Sequence, residues 1–167
     1  RLAEVTFAYS DRSDFRLGPL NMSLQQGQLI LVTGPSGSGK SSFVKILNGS
    51  VAPTGGWIHA PRSVSISQSW PEFDVGAGDY LRYQGIDAKG FENKPLRGLA
   101  RMERIRLELG RCERSKPKLV IMDEITAGLS ESQIREVVEA SRNLARAATV
   151  VFVSHQEIDA AAFSRHL

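Results

Sequence analysis

The chain has 167 residues, of which 41% are hydrophobic and 23% are charged. These proportions are typical of a single globular domain with one core, and they exclude a disordered or fibrous chain. The net charge of +3 is mild, so a nucleotide site or a membrane-facing surface explains it as well as nucleic acid would. With one cysteine, Cys112, the chain cannot form an internal disulfide, which fits a reducing compartment.

No stretch of the sequence has the ~20 consecutive apolar residues that a membrane-spanning helix needs, and no signal peptide is visible. The most apolar stretches have only the length of strands: Leu29–Val32, Leu119–Met122 and Val150–Val153. Because the sequence begins at Arg1 without a methionine, we expect it to be a domain taken from a longer protein. A membrane-spanning partner, if there is one, would lie outside this sequence.

The first third of the chain predicts three strands, a glycine-rich loop and a helix. Residues 2–9 alternate between apolar and polar and predict a strand, residues 12–19 predict a loop, and residues 21–24 predict a second short strand. Residues 29–32 are all apolar, which is typical of a strand covered on both faces in a parallel sheet. Residues 41–48 follow the glycine-rich loop and predict a helix that ends at a glycine.

The middle of the chain gives weaker signals. Residues 57–66 carry strand signals around a proline, residues 79–85 predict a short helix, and residues 99–112 predict a charged helix. In this last helix, arginines alternate with glutamates. That alternation favours a solvated amphipathic helix over a surface for phosphate or nucleic acid.

The last third predicts two more buried strands, each followed by a helix. The strands cover residues 119–122 and 149–153, and the helices cover residues 130–147 and 156–163. The first of these helices begins with a capping box, in which a serine and a glutamine cap each other's main chain. The order strand–loop–helix, strand–helix, strand–helix predicts an α/β fold with a mainly parallel sheet. In such folds the chemistry lies at the carboxyl ends of the strands.

Residues 34–41 match the phosphate-loop pattern G-x-x-x-x-G-K-[ST] in full, between a predicted strand and a predicted helix. We expect the nucleotide to contact the loop and its flanks: Tyr9, Gly34, Pro35, Ser36, Gly37, Ser38, Gly39, Lys40, Ser41 and Ser42. Glycines let several main-chain N–H groups point at one phosphate chain, and the helix N-terminus favours anions. Lys40 is predicted to bind the β- and γ-phosphates, and Ser41 to bind Mg²⁺ through its hydroxyl.

Two adjacent carboxylates, Asp123 and Glu124, end the second buried strand. Because parallel strands end at one edge of the sheet, these carboxylates should lie near the phosphate loop. We expect Asp123 to hold Mg²⁺ and Glu124 to polarise the attacking water. Considered without the loop, the same pattern would be an ordinary strand that ends in a charged turn.

Three further side chains are candidate site residues because of their order relative to these motifs. Gln68 follows a predicted strand, and its amide could contact both Mg²⁺ and the water. His155 ends the third buried strand, where an imidazole could contact the γ-phosphate and help to hold Glu124. Tyr9 lies before the loop, where its ring could stack on adenine. Taken singly, each of the three would more often be a surface or packing residue.

The sequence resembles the ATP-binding-cassette (ABC) ATPases over about residues 5–163. The matching pieces follow the family's order: Tyr9 (A-loop), Gly34–Ser41 (Walker A), Gln68 (Q-loop), Lys118–Glu124 (Walker B) and His155 (H-loop). The segment Ser67–Phe73 is similar to exporter-type cassettes. The resemblance implies a single nucleotide-binding domain over residues 1–167, with antiparallel strands before a mainly parallel sheet. It also implies ATP and Mg²⁺ as ligands, and two cassettes that close on two ATP molecules and reopen after hydrolysis.

The sequence departs from the family in three places. The Leu-Ser-Gly-Gly-Gln signature is absent, and its nearest counterpart is the stretch of residues 96–100. The aspartate of the D-loop is replaced by Ser130. The distance from Gln68 to Asp123 is short for the family, so we expect a reduced helical subdomain over about residues 69–115. Because the family's signature acts on the ATP of the opposite cassette, these departures predict a different partner cassette that carries an intact signature.

The resemblance implies an ATPase that drives transport from the cytoplasmic side of a membrane. Trp70 and Phe73 lie where the family meets its transmembrane domain, although both could also cap the core. A cassette ATPase that acts on DNA or the ribosome is one alternative. A second is a small-molecule kinase, against which the two strands before the loop and the paired carboxylates count. A third is a regulatory cassette that binds ATP with little hydrolysis.

Overall fold

The computed structural model describes residues 1–10, 14–67, 76–83, 89, 95–156 and 158–167, without the side chains of Leu81, Tyr83 and Arg97. Within these ranges, no helix combines the length and the apolar character that crossing a membrane requires. The predicted roles of Gln68, Trp70 and Phe73 concern residues outside this description. The predicted subdomain over about residues 69–115 falls partly outside it as well, and it stays a prediction.

Two sheets form the frame of the domain, as the predicted fold class requires. An antiparallel sheet has the order β2-β1-β4, and it consists of β1 (Leu2–Ala8), β2 (Arg16–Met22) and β4 (Gly55–Ile58). A parallel sheet has the order β5-β6-β7-β3-β8, and it consists of β3 (Leu29–Val32), β5 (Ser63–Ser67), β6 (Leu119–Asp123), β7 (Thr149–Val153) and β8 (Arg165–His166). Both the antiparallel strands at the N-terminus and the mainly parallel sheet are therefore confirmed.

Within the described ranges, four α-helices accompany the sheets: α1 (Lys40–Leu47), α2 (Ala77–Tyr83), α3 (Arg101–Ser115) and α4 (Glu131–Ala145). All four lie within a few residues of their predicted positions. The capping box of α4 is confirmed, because the hydroxyl of Ser130 accepts from the main-chain N–H of Gln133 while the Gln133 side chain accepts from the N–H of Ser130. Such reciprocal bonds satisfy two N–H groups that a helix start would otherwise leave without partners.

The parallel sheet has a hydrophobic core on each of its two faces. One core joins the sheet to α3 and α4, and the other joins it to α1 and the antiparallel sheet. Strands β3, β6 and β7 are therefore apolar on both sides, and every residue of β7 is buried. This double burial explains why continuous apolar runs, without alternation, predicted these three strands.

The strand signals over residues 57–66, around a proline, are confirmed, and they belong to two strands in different sheets, β4 and β5. Two local predictions were wrong. Residues 16–19 belong to β2, because Leu17 pairs with Phe7 of β1 and this pairing overrides the local turn signal. In place of a helix over residues 156–163, the described residues form only a 3-10 turn at Ala160–Ala162, and β8 then joins the sheet edge. The main-chain N–H of Ser164 donates to Leu29, so sheet pairing takes up the chain there.

Candidate functional site

The carboxyl ends of three parallel strands meet at one edge of the sheet and define the candidate site. The phosphate loop follows β3, Glu124 follows β6, and His155 lies two residues beyond β7. The strand register aligns Asp123 with Val153, and the main-chain N–H of Glu124 donates to the carbonyl of Val153 at 3.0 Å. The parallel sheet therefore brings the phosphate loop, the two carboxylates and the imidazole of His155 to one edge, as the sequence predicted.

The phosphate loop wraps around the side chain of its own lysine. The ammonium of Lys40 donates to the carbonyl oxygens of Gly34 at 2.7 Å and Pro35 at 3.0 Å, and Lys40 is buried. Gly39 immediately precedes α1 with a φ of 102°, a value that side-chain-bearing residues rarely adopt. The loop therefore holds a buried positive charge next to the N-terminus of a helix, which is an arrangement suited to anions.

Two aromatic rings line the cavity beside the loop. The Tyr9 hydroxyl lies 3.2 Å from the Ser42 hydroxyl, and the Tyr9 ring centroid lies 5.8 Å from that of Phe15. The cavity has a volume of about 220 Å³ and is lined by Tyr9, Phe15, Ser36, Gly37, Gly39, Lys40, Ser41, Ser42 and His155. Phe15 was missed by the sequence reasoning, because its position between two strands carries no motif.

Glu124 and His155 are in direct contact. Nε2 of His155 lies 2.5 Å from Oε1 of Glu124, so that a proton on Nε2 is donated to the carboxylate. Glu124 has a φ of 54°, which is uncommon for a residue with a side chain and often occurs at functional positions. The contact joins the ends of β6 and β7 and orients both side chains at the mouth of the site.

Asp123 lies in an environment that disfavours its charged form. Burial raises the pKa of the Asp123 carboxyl, and the neighbouring charge of Glu124 raises it further, while His155 and Lys40 act in the opposite direction. A bound cation would reduce the repulsion between the negative charges of these two neighbouring carboxylates. Among the described residues, no three His, Cys, Asp or Glu side chains form a cluster that could hold a metal ion.

The helix α3 contributes a residue that the sequence reasoning did not assign to the site. Nη2 of Arg101 donates to the carbonyl oxygens of Glu124 at 3.4 Å and Ile125 at 3.3 Å. The sequence placed Arg101 in a charged solvated helix, and nothing in its spacing indicates a contact with residues more than twenty positions away. Next to it, the N–H of Ala100 donates to the Glu103 carboxylate at 2.9 Å, so that α3 caps its own N-terminus.

The chain is similar in sequence to ABC transporters and to ATP-binding proteins of transport systems. Residues 17–80 match the sequence profile of the family described as "ABC transporter". ABC transporter F family member 4 of Arabidopsis thaliana is 26% identical over 93% of this chain and 25% of its own length. A probable metal transport system ATP-binding protein of Thermotoga maritima is 28% identical over 86% of this chain and 70% of its own. Zinc import ATP-binding protein ZnuC of Yersinia enterocolitica is 26% identical over 83% of this chain and 64% of its own.

Solved structures resemble this fold over nearly the whole chain. The structure of cbiO1 from Clostridium perfringens, part of the ABC transporter complex cbiONQ, matches with a TM-score of 0.78 and 19% identity over 97% of this chain and 80% of that one. The cassette MJ0796, in a dimeric post-hydrolysis state bound to ADP and phosphate, matches with a TM-score of 0.72 and 19% identity over 93% and 87% of the two chains. At these identities, the structural likeness supports the fold.

Proposed function

We propose that this chain is an ATP-binding cassette that binds Mg-ATP and hydrolyses it to drive transport across a membrane, because its sequence match and its fold both resemble such cassettes. One observation carries the proposal above all others. The buried ammonium of Lys40, which donates to two loop carbonyls, lies at the sheet edge where Glu124 and His155 are already in contact. A phosphate chain is the ligand whose charge and shape suit this edge.

We propose that the nucleotide enters the cavity between Tyr9 and the phosphate loop. The rings of Tyr9 and Phe15 line this cavity and offer a face for the adenine base, while main-chain N–H groups of the glycine-rich loop would bind the phosphates. Lys40 would then exchange its two loop carbonyls for β- and γ-phosphate oxygens. Those loop bonds keep the charge solvated within the protein before the nucleotide arrives, which explains how an ammonium tolerates burial.

A magnesium ion is the second ligand that we propose for this site. We propose that the Ser41 hydroxyl, the Asp123 carboxylate and the Gln68 amide hold Mg²⁺ together with phosphate oxygens, and all three offer the hard oxygen ligands that this ion prefers. The raised pKa of Asp123 fits this role. Burial and the Glu124 charge disfavour the charged carboxylate, and a bound cation would stabilise it. When bound, Mg²⁺ supplies positive charge that neutralises the phosphate oxygens.

Hydrolysis requires a water placed in line with the γ-phosphorus. We propose that Glu124 accepts a hydrogen bond from this water and takes its proton as the water oxygen bonds to phosphorus and the bond to the leaving ADP oxygen breaks. His155 would keep the Glu124 carboxylate in place through the 2.5 Å contact and would also contact the γ-phosphate. Glu124 and His155 are therefore the proposed catalytic groups, with Lys40 and Gln68.

The test is steady-state phosphate release from Mg-ATP by this chain. Glu124→Gln should retain ATP binding and lower turnover by about 100-fold or more, and Lys40→Ala should weaken binding as well. Glu131→Gln and Lys45→Ala are matched controls, because both change an exposed side chain on α4 or α1 and should leave turnover unchanged. Turnover that survives Glu124→Gln would contradict the proposed role of Glu124.

We also propose that the partner is a different cassette with an intact signature. In this chain, the N-terminus of α3 is occupied by the chain's own Glu103 carboxylate, which would repel a phosphate that approaches from an opposite cassette. Ser130 replaces the aspartate of the D-loop. This chain would therefore cleave its own ATP with help from its partner and give little help in return. A rapidly hydrolysing homodimer of the full-length protein would contradict this.

We propose that the domain works on the cytoplasmic side of a membrane, either as a separate subunit or as part of a longer membrane protein. The names of the relatives support this, since they describe ATP-binding proteins of zinc and metal transport systems. The residues proposed to meet the transmembrane partner are Trp70 and Phe73. Co-purification of the full-length protein with a membrane fraction tests the location. Recovery of the protein only on ribosomes or DNA would favour the non-transport alternative.

A further inference from the structure

The first residue of α3 joins this helix to the main chain that carries Glu124. Nη2 of Arg101 donates to the carbonyl oxygen of Glu124 at 3.4 Å and to that of Ile125 at 3.3 Å. These carbonyls belong to the first two residues after β6, and the turn of residues 125–128 starts there. One guanidinium group therefore spans the two consecutive carbonyls at the point where the chain leaves the sheet.

Arg101 is half-buried, and its position is not that of an ordinary surface arginine. Its Nε is buried and has no hydrogen-bond partner within the described ranges. A buried N–H without a partner lowers stability, so the arginine has to be held there by other contacts. Glu108, two turns further along the same helix, is already bound by Arg111 and by the Tyr80 hydroxyl. The carbonyls of Glu124 and Ile125 are then the acceptors that explain the inward position.

Contacts on both of its peptide groups fix the main chain of Glu124. Its N–H donates to the carbonyl of Val153 in β7 at 3.0 Å, and its carbonyl accepts from Arg101. Between these two contacts the residue has a φ of 54°, a conformation that persists only where the surroundings impose it. The side chain that leaves this main chain reaches His155. Loss of either main-chain contact would let the carboxylate swing away from the imidazole.

We infer that Arg101 is a positioning residue for Glu124: it holds the main chain so that the carboxylate meets His155 and the attacking water. The inference rests on the proposed function, because it gives Glu124 the role of polarising the water. It also links the start of α3 to the reacting end of β6. A movement of α3 against the sheet would therefore change the placement of Glu124.

The experiment compares Arg101→Met, Arg101→Lys and the control Arg114→Met, which changes an exposed arginine in the last turn of the same helix. Arg101→Met should lower kcat for ATP by about 10- to 100-fold, with a change in ATP affinity of about twofold or less. Arg101→Lys should recover part of the loss, because an ammonium can still reach a carbonyl. Arg114→Met should match the unaltered chain.

A second measurement does not depend on turnover. The N–H of Ala127 donates to the same Glu124 carbonyl as Arg101, at 3.4 Å. In Arg101→Met, amide exchange at Ala127 followed by NMR should be about 10-fold faster than in Arg114→Met, while amides within β7 keep their rates. If the unaltered chain hydrolyses no ATP, the proposed function fails and the exchange rates decide the inference. Unchanged exchange at Ala127, or equal losses of kcat in both arginine variants, would overturn it.

Discussion

The phosphate loop and the start of α3 lie on either side of Glu124, and their bonds are organised in opposite ways. In the loop, Lys40 binds carbonyls that are five and six positions earlier in the sequence. At α3, Arg101 binds carbonyls that are more than twenty positions later. Bonds between residues close in the sequence leave a local pattern that can be recognised as a motif. Bonds between a helix and a distant turn depend on the tertiary fold, and no local pattern reveals them.

The difference has a consequence for function. Short-range bonds make the phosphate loop rigid as a unit, so that its N–H groups are in place before the nucleotide binds. The bonds of Arg101 instead connect two separate elements, α3 and the turn that follows β6. We therefore expect the conformation of the loop to be insensitive to substitutions elsewhere in the chain. The contact between α3 and Glu124 should instead depend on how distant residues pack. Three predictions test this contrast.

The largest expected effect comes from adding a methyl group to the loop. Gly39→Ala places a Cβ at a φ of 102°, only 3.0 Å from Cδ1 of Leu17. Strain and close contact together should lower the free energy of unfolding by about 2–3 kcal/mol and abolish nucleotide binding. Chemical denaturation and titration with a fluorescent ATP analogue measure the two effects.

Gly37→Ala is the matched control for this change. Gly37 also has a positive φ, 81°, but a Cβ there meets no atom within 4 Å. It should therefore show only the conformational cost, about 1 kcal/mol. Equal losses in the two variants would mean that the contact with Leu17, and with it the packing of β2 on the loop, does not matter.

An intermediate effect is expected on the α3 side at high pH. Burial raises the pKa of the Cys112 thiol from 9.0 to about 11. The unfolded chain therefore loses this proton first, so the free energy of unfolding should be highest below pH 9 and fall as the pH rises towards 11. Two pKa units correspond to a loss of about 2–3 kcal/mol.

Tyr80 adds to this loss at still higher pH, because burial and then the charge of Glu108 raise the pKa of its phenol to about 12. The control Cys112→Ala separates the two groups, since it should flatten the curve between pH 9 and 10 and leave the fall above pH 10. Stability is read from urea denaturation at each pH. A free energy of unfolding that stays constant from pH 8 to 11 would show that Cys112 is not buried in solution.

Much of the fold and of the site could be predicted from the sequence, and the particular successes explain why. Strands β3, β6 and β7 are buried on both faces, so their continuous apolar residues stand out. The contact of Glu124 with His155 follows from the parallel order of the strands, because each residue lies just beyond a strand end. In both cases a local pattern and one rule of sheet geometry suffice.

The failures share the opposite property. Residues 16–19 became part of β2 because β1 pairs with them, although a Gly-Pro sequence predicts a turn. The end of the chain adds β8 to the sheet edge, although its local pattern predicts a helix. Arg101 and Phe15 reach the site through tertiary contacts alone. Sequence reasoning identified the residues with motifs and missed the residues that support them.

The smallest expected effect concerns Ser130, which caps α4 and which we propose to stand where related cassettes carry the D-loop aspartate. Ser130→Ala removes the acceptor of the Gln133 N–H and should lower the free energy of unfolding by about 1 kcal/mol. Ser130→Asp is the informative control, because aspartate caps a helix as well as serine does and should leave stability unchanged. If Ser130→Asp also raises turnover of the partner cassette's ATP in a mixed dimer, the serine itself limits what this chain gives its partner. If turnover does not change, we expect the Glu103 carboxylate at the N-terminus of α3 to limit hydrolysis of the partner's ATP more than Ser130 does. Glu103→Gln should then raise this turnover.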